Sequence, residues 1–239
     1  MQITTKAIIL SSLKYGDTSL IVKAYTQTDG LKSYLLKGVL ASKKGKLKVA
    51  YFLPLSQLEL TANHKNKGTL ETISEAKVYK PYKTLHTDVV KNSLVLFLAE
   101  MLVNSIQEQQ QDLQLYNYIE KSLLWMDTHT NTANFHLLFL LNLTRFLGFY
   151  PEESKTNTKY FDLLEGQFID SPSLNPLIEK DKVYDFKKLL GINFDALNGI
   201  KIAKRNRESL LKAVILYFEL HLHGFRKPKS LAVLNAVFD

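Results

Sequence analysis

Residues 18–39 read TSLIVKAYTQTDGLKSYLLKGV. Two β-prone runs, Thr18–Thr26 and Leu31–Val39, flank Thr28-Asp29-Gly30. Asp-Gly between such runs is a strong hairpin signal, because both residues tolerate a left-handed backbone. Upstream, Lys6–Tyr15 (KAIILSSLKY) is rich in apolar and hydroxyl residues and ends at Gly16-Asp17, which predicts a strand entering the hairpin. Downstream, Leu40–Lys48 reads as a polar, lysine-rich loop, and Ala50–Leu60 as a fourth strand in which Pro54 marks an edge or bulge. A second polar loop, Thr61–Gly68, leads to a fifth strand at Thr69–Tyr79. Five short strands at this spacing suit a small Greek-key barrel of the oligonucleotide-binding (OB) type; other small barrels fit the same count.

Pro81 marks a change of texture. From Leu85 to Ile106 the apolar residues recur at helical spacing, through Val89, Leu94, Phe97, Leu98, Met101 and Leu102. After the polar break Gln107–Gln111, a second helix is predicted over Leu113–Met126. A third, capped by Asn131 or Thr132, runs to Phe146-Leu147 and stops at Gly148. Residues 151–180 interrupt the helices. Tyr160–Ile169 reads as a hairpin turning at Glu165-Gly166, and Pro172 and Pro176 keep the chain beyond it irregular. Asp181 can cap a helix ending at Leu190-Gly191, and a last helix spans Lys204–His223. The expected fold class is α+β. A barrel domain occupies 1–80, and an all-helical domain with a short β-hairpin insertion at 151–180 occupies 81–239.

Charge divides along the same line. Residues 1–80 hold 13 Lys and no Arg against 5 Asp/Glu, a surplus of eight; residues 81–239 hold 18 Lys and Arg against 18 Asp/Glu. A basic β-domain beside a neutral helical one suggests a polyanion binder coupled to a protein-binding partner domain. The chain has no cysteine, which removes disulfides, thiolate nucleophiles and Cys-ligated zinc. No run approaches the roughly 18–20 apolar residues of a membrane span, and the N-terminus lacks a signal-peptide pattern, so a cytoplasmic protein is expected, with no membrane partner.

Catalytic patterns are missing. Gly38–Lys46 fails as a phosphate loop: six residues separate Gly38 from Gly45, and Leu47 stands where Ser or Thr is required. No G-x-S-x-G or H-E-x-x-H motif occurs. His221 and His223 would point about 200° apart on a helix and cannot share a metal. The sequence therefore predicts neither catalysis nor a cofactor.

Binding residues are easier to name. Lys37, Lys43, Lys44, Lys46 and Lys48 fall in one stretch with no acid among them, and Lys32 precedes them. Ammonium groups of this kind follow a phosphate backbone and release its counterions without reading sequence. Tyr34, Tyr51 and Phe52 are candidate stacking faces for unpaired bases, or alternatively core residues. A second basic cluster comprises Lys201, Lys204, Arg205 and Arg207, then Arg226, Lys227 and Lys229. Its first members open a helix, where positive charge opposes the dipole, which favours a binding use. Arg145 lies in an apolar helical stretch, LLNLTRFLGFY; it can anchor a partner's carboxylate or pair with an acid of this chain.

Together these residues resemble the RecO-type DNA repair proteins, recombination mediators. The N-terminal pattern is Ala7-Ile8-Ile9-Leu10, Tyr15-Gly16-Asp17, Leu20-Ile21-Val22, Tyr25-Thr26, Gly30 and Lys37-Gly38-Val39. Phe52-Leu53-Pro54-Leu55 and Gly68-Thr69-Leu70 continue it. At the other end stand Tyr217-Phe218 and His221-Leu222-His223-Gly224-Phe225-Arg226-Lys227-Pro228-Lys229-Ser230-Leu231. The resemblance implies an OB domain, a helical domain, and in many members a zinc module among the helices. It implies binding of single- and double-stranded DNA, annealing of complementary strands, and work with RecR. It also implies recognition of the acidic C-terminal tail of single-stranded-DNA-binding protein and indirect help to RecA, at the nucleoid. Residues 151–180 hold no Cys or His, so the metal is not expected and the hairpin there is expected to hold by apolar packing alone. An RNA-binding or ribosome-associated barrel, or a scaffold docking on acidic proteins, shares the same charge logic.

Overall fold

The computed structural model describes residues 1–41, 46–65, 69–106, 110–152 and 158–238. Five strands form the N-terminal sheet: β1 (Gln2–Tyr15), β2 (Ser19–Thr26), β3 (Gly30–Leu36), β4 (Gln57–Asn63) and β5 (Thr72–Lys80). All neighbours are antiparallel, in the order β3-β2-β1-β4-β5. The two edges then meet. Tyr34 of β3 faces Glu71 in a parallel bridge, with Leu35 N–H donating to Glu71 O at 2.9 Å and Glu71 N–H to Ser33 O at 2.8 Å. The circuit β1-β2-β3-β5-β4 closes the sheet on itself and removes its exposed edges, which is the OB arrangement.

Asp29-Gly30 turns the chain as the sequence predicts. Thr26 pairs with Gly30, whose φ is +62°, and Asp29 N–H donates to Thr26 Oγ1 at 3.1 Å. Alternation along the strands then points Ala7, Ile9, Leu20, Val22, Leu36, Leu58, Leu60 and Ala62 into one core. The run Ala7–Leu10 is buried throughout because β1 is central: one face lines the barrel and the other packs under α1 (Val89–Ser105). A register shift between Ile9 and Ser11 leaves Leu10 as the extra residue of a bulge.

One strand differs from the reading of the sequence. Val49–Phe52 is a short 3-10 turn and β4 begins only at Gln57, continuing to Asn63 through what reads as a polar loop. Phe52 and Leu55 are both buried although three residues apart, which strand alternation forbids. Pro54 has no N–H to give a ladder, and Leu55 takes φ +59° while donating to Ile9 O at 2.6 Å.

The chain packs as two compact units: residues 1–128 with 228–239, and residues 129–227. In the first, α2 (Leu113–Thr128) brings Tyr116 against Tyr25, ring centroids 6.4 Å apart. The Asp127 carboxylate collects the N–H groups of Lys83, Thr84 and Leu85 at 2.8–3.1 Å, and the Thr84 hydroxyl. Burial pushes this carboxyl up, but the donors together hold it below the usual range. Asp127 thereby fixes the segment where strands give way to helices. A short helix α6 (Leu231–Phe238), not foreseen from the sequence, packs on α1.

The second unit contains α3 (Phe135–Phe146), β6 (Tyr160–Asp162), β7 (Gln167–Ile169), β8 (Leu177–Glu179), α4 (Asp181–Lys187) and α5 (Lys204–His221). The hairpin at Tyr160–Ile169 forms as predicted, with Phe161 opposite Phe168 and Gly166 at φ +69°. It gains a third strand, β8, paired to β6.

Candidate nucleic-acid interface

The barrel presents two outer faces with different electrostatics. On β1–β4–β5, register sets Lys6 beside Glu59 and Glu59 beside Lys77. Lys77 binds Glu59 at 2.6 Å, Lys46 binds Glu75, and Lys6 donates to Tyr79 Oη at 2.6 Å. Charge there is locally balanced.

The β1–β2–β3 face is not balanced. Register aligns Leu13, Ile21 and Leu35 in one row across three strands, Ser11, Lys23 and Ser33 in the next, and Tyr15 beside Ser19. Leu13 is 64% exposed and Tyr15 57%, high values for residues of a paired strand. Lys37 is exposed, Lys23 is half-buried, and neither has a carboxylate partner among the described residues; Lys14, opposite Leu20 and in line with Leu36, belongs to the other side of the sheet. The turn that carries Lys37 is tied to the β1–β2 turn by Leu40 N–H to Thr18 O at 2.9 Å and Gly38 N–H to Ser19 Oγ at 3.4 Å. An apolar-aromatic row edged by unneutralised ammonium groups has what an unpaired strand needs: faces for bases and charges for phosphates.

The residues singled out in the sequence divide among several environments. Lys43 and Lys44 lie outside the described residues. Lys37 and Lys48 are exposed, with the Lys48 ammonium 5.8 Å from the half-buried Tyr51 ring. Lys46 is held by Glu75, but both side chains are more than half exposed, so a phosphate can compete for it. Lys32 alternates with Tyr34 and Leu36, so it falls on the inward-facing set and is half-buried. Tyr34 and Phe52 are corrected to core residues. Tyr34 has no exposed surface, and its hydroxyl lies 2.8 Å from His64 Nε2. Burial, with Asp29 and Glu71 nearby, pushes that phenol well above its usual range. Leu13, Tyr15 and Lys23, which the register adds to this face, were not singled out in the sequence. Their signal was the alternation of β1 past the bulge and of β2 beside it, legible only once the register is known.

The second basic cluster is mixed. Lys204, Arg205 and Arg226 are exposed, as is Lys227, which pairs with Glu219 at 3.0 Å. Arg207 turns inward: it is half-buried and its charge acts on the buried His136, so it is a packing residue. Lys229 is exposed, but its backbone N–H is held by Glu100 Oε1 at 2.9 Å. Arg145 is exposed at the end of α3, its guanidinium 3.6 Å from the centre of the Tyr150 ring.

The family model for the N terminal of recombination protein O matches residues 1–82, and that for its C terminal matches residues 86–232. The chain is 52% identical over 238 residues to DNA repair protein RecO of Christiangramia forsetii, covering all of both chains. It is 45% identical over 239 residues to DNA repair protein RecO of Flavobacterium psychrophilum, again covering both chains fully. Against the protein of that name from Porphyromonas gingivalis the identity is 30% over 247 residues, with the same coverage. The chain belongs to the RecO family. It is thus a member of a DNA repair and recombination family, built on an OB barrel and a helical region. Among the described residues no helix is long and apolar enough to cross a membrane.

The zinc module of many RecO-type proteins does not fit these residues. There is no cysteine, and among the described residues no three His, Asp or Glu gather as ligands. The one inward carboxylate of the small sheet, Asp162, is already occupied. It accepts from Leu164 N–H at 2.9 Å, Glu165 N–H at 3.1 Å, Ser173 Oγ at 2.6 Å and Asn175 Nδ2 at 3.0 Å. Burial raises its pKa, and these donors outweigh that and lower it. Apolar packing alone was the expectation. The correction is that Asp162 ties both loops together while Phe161, Phe168 and Phe186 fill the space beneath, with centroids 4.8–6.2 Å apart.

Proposed function

We propose that the β1–β2–β3 face binds DNA strands, single or double, without sequence preference, as a step in pairing complementary strands. The observation that carries this reading is the coincidence on one face of Tyr15, the Leu13–Ile21–Leu35 row and Lys23, with Lys37 in the adjoining turn, neither lysine having an ion-pair partner among the described residues. Phosphate contacts supply affinity and the apolar row accepts unstacked bases; lysines, as point charges, do not discriminate bases. No bond is broken by this protein. Annealing results because weak, sequence-blind contacts hold a strand while its bases stay free to test a complement.

The helical region supplies the protein contacts in this proposal. RecR and the acidic tail of single-stranded-DNA-binding protein are the partners, the recombinase RecA benefits indirectly, and the work takes place at the cytoplasmic nucleoid. Arg145, stacked on Tyr150, is the candidate for a tail carboxylate, since stacking pre-orders the guanidinium fork. Changing Lys23 and Lys37 together to Glu is expected to weaken single-strand binding strongly. It should also lower the slope of log K against log salt by about 1.4, at about 0.7 per lost phosphate contact. Tyr15→Ala should weaken binding by about 1–3 kcal/mol with the salt slope unchanged. Unaltered affinity and slope in the folded double variant would sink the assignment. A strong preference for RNA over DNA of the same sequence would move the protein to the RNA-binding alternative.

A further inference from the structure

The second unit has a cavity of about 470 Å³ that the barrel face leaves unused. It opens between β6, the end of β8 and α4, and is lined by Lys159, Tyr160, Glu179, Lys180, Tyr184 and Lys187. The lining carries three lysines and one glutamate, and the charge of Asp170 acts on Lys187. Lys187 is drawn to the wall of the cavity and does not extend into solvent: its Nζ donates to Thr158 Oγ1 at 3.0 Å and stands 4.7 Å from the centre of the Phe168 ring. Tyr184 is 67% exposed, with the Lys188 ammonium 4.2 Å from its ring centre. Lys180 sits at φ +57°, ψ −137°, a conformation that a residue with a Cβ rarely adopts and that costs about 1–3 kcal/mol. Such strain gathers where a chain shapes a ligand site.

We propose that this cavity is a nucleotide-binding pocket: Lys159, Lys180 and Lys187 take the phosphate, and Tyr160 or Tyr184 takes the base. The volume lies in the range of small-ligand sites and suits one nucleotide unit, not an extended acidic peptide. Aromatic rings beside the charges also favour a ligand with a planar ring over a bare carboxylate chain. Free nucleotide and a nucleotide within a single strand share this chemistry.

The test uses the full chain with two probes, thymidine monophosphate and a short oligothymidylate carrying one photoreactive iododeoxyuridine. Photo-cross-links mapped by peptide mass are expected at Tyr160 or Tyr184. Each of Lys180→Gln and Lys187→Met should lower affinity at the pocket about tenfold, the worth of one charge-assisted hydrogen bond. Because Lys187 also supports Thr158, the exposed Lys159→Glu and Tyr184→Ala provide variants that keep the fold. Monophosphate binding lost in these variants supports a free-nucleotide site; oligonucleotide cross-linking without monophosphate binding supports a strand contact. The proposal is overturned if the cross-links fall only on the barrel and all four variants bind both probes normally. It is equally overturned if an acidic peptide, and neither nucleotide probe, occupies the pocket. The Lys23 and Lys37 double variant separates the two readings: its effect on strand affinity tests the barrel, whereas monophosphate binding tests the pocket alone.

Discussion

His136 is the residue whose protonation most directly opposes the fold. It lies in the first turn of α3, 2% exposed, and burial, reinforced by the Arg207 charge, lowers its pKa from 6.5 to about 3. The unfolded chain therefore takes up a proton near pH 6.5 that the folded chain refuses until about pH 3. Folded-state stability from this group is full above pH 6.5 and declines on acidification, at about 1.4 kcal/mol per pH unit inside that window. Urea unfolding across it should show a shallower pH slope for His136→Leu than for the parent chain. Equal slopes would mean the imidazole is protonated in the fold. Nothing in the sequence around NFHLLFLLNLTRF distinguishes a buried neutral His from an exposed one, and Arg207 is 71 positions away. The same distance effect hid the fate of Tyr34 and Arg207. A residue's type states what it can bind, and its register decides whether it is offered to a ligand.

Elements with strong local signals were legible, and those set by tertiary demand were not. The β2–β3 hairpin and the Tyr160–Ile169 hairpin arise from turn chemistry, because left-handed glycines at 30 and 166 fix the reversal. The delayed start of β4 was hidden because AYFLPLSQLEL has strand composition throughout, while Phe52 and Leu55 both needed the core. The helix α6 was hidden by its shortness and by Pro228 and Gly224 just before it. Gly166 is also fixed by packing. A Cβ built there would lie 2.7 Å from Tyr217 Oη, which itself donates to Phe149 O at 2.8 Å. Gly166→Ala should destabilise the second unit by about 1–3 kcal/mol through the left-handed backbone and this contact. Combining it with Tyr217→Phe removes the hydroxyl that the new methyl meets. The two changes should therefore cost less together than the sum of their separate effects. Strict additivity would show that backbone conformation alone requires the glycine.

At the scale of the molecule, the chain crosses between its two units more than once. It leaves the first unit after Thr128, builds the second, and returns at Pro228. The return is anchored by polar groups as well as apolar ones. Glu100 of α1 accepts from Lys229 N–H at 2.9 Å, Ser230 N–H at 2.8 Å and Ser230 Oγ at 2.6 Å, and Leu234 of α6 is buried. Burial raises the Glu100 carboxyl pKa, but the Ser230 and Lys229 donors outweigh it and hold it below the usual value. The barrel and the C-terminal segment therefore share one cooperative unit through α1. Charge distribution alone made the basic barrel legible, yet among residues 228–239 it singled out only Lys229, as part of the second basic cluster. Removing those residues is expected to expose the outer side of α1, whose inner side covers β1. Hydrogen exchange should quicken in Val89–Ser105 and then in Ala7–Leu10 of the truncated chain. A milder variant, Glu100→Ala, should do the same in part, costing about 1.5–3 kcal/mol for hydrogen bonds to a charged acceptor. If exchange in α1 and β1 stays at the parent level in both variants, the last helix is an appendage and the barrel stands without it.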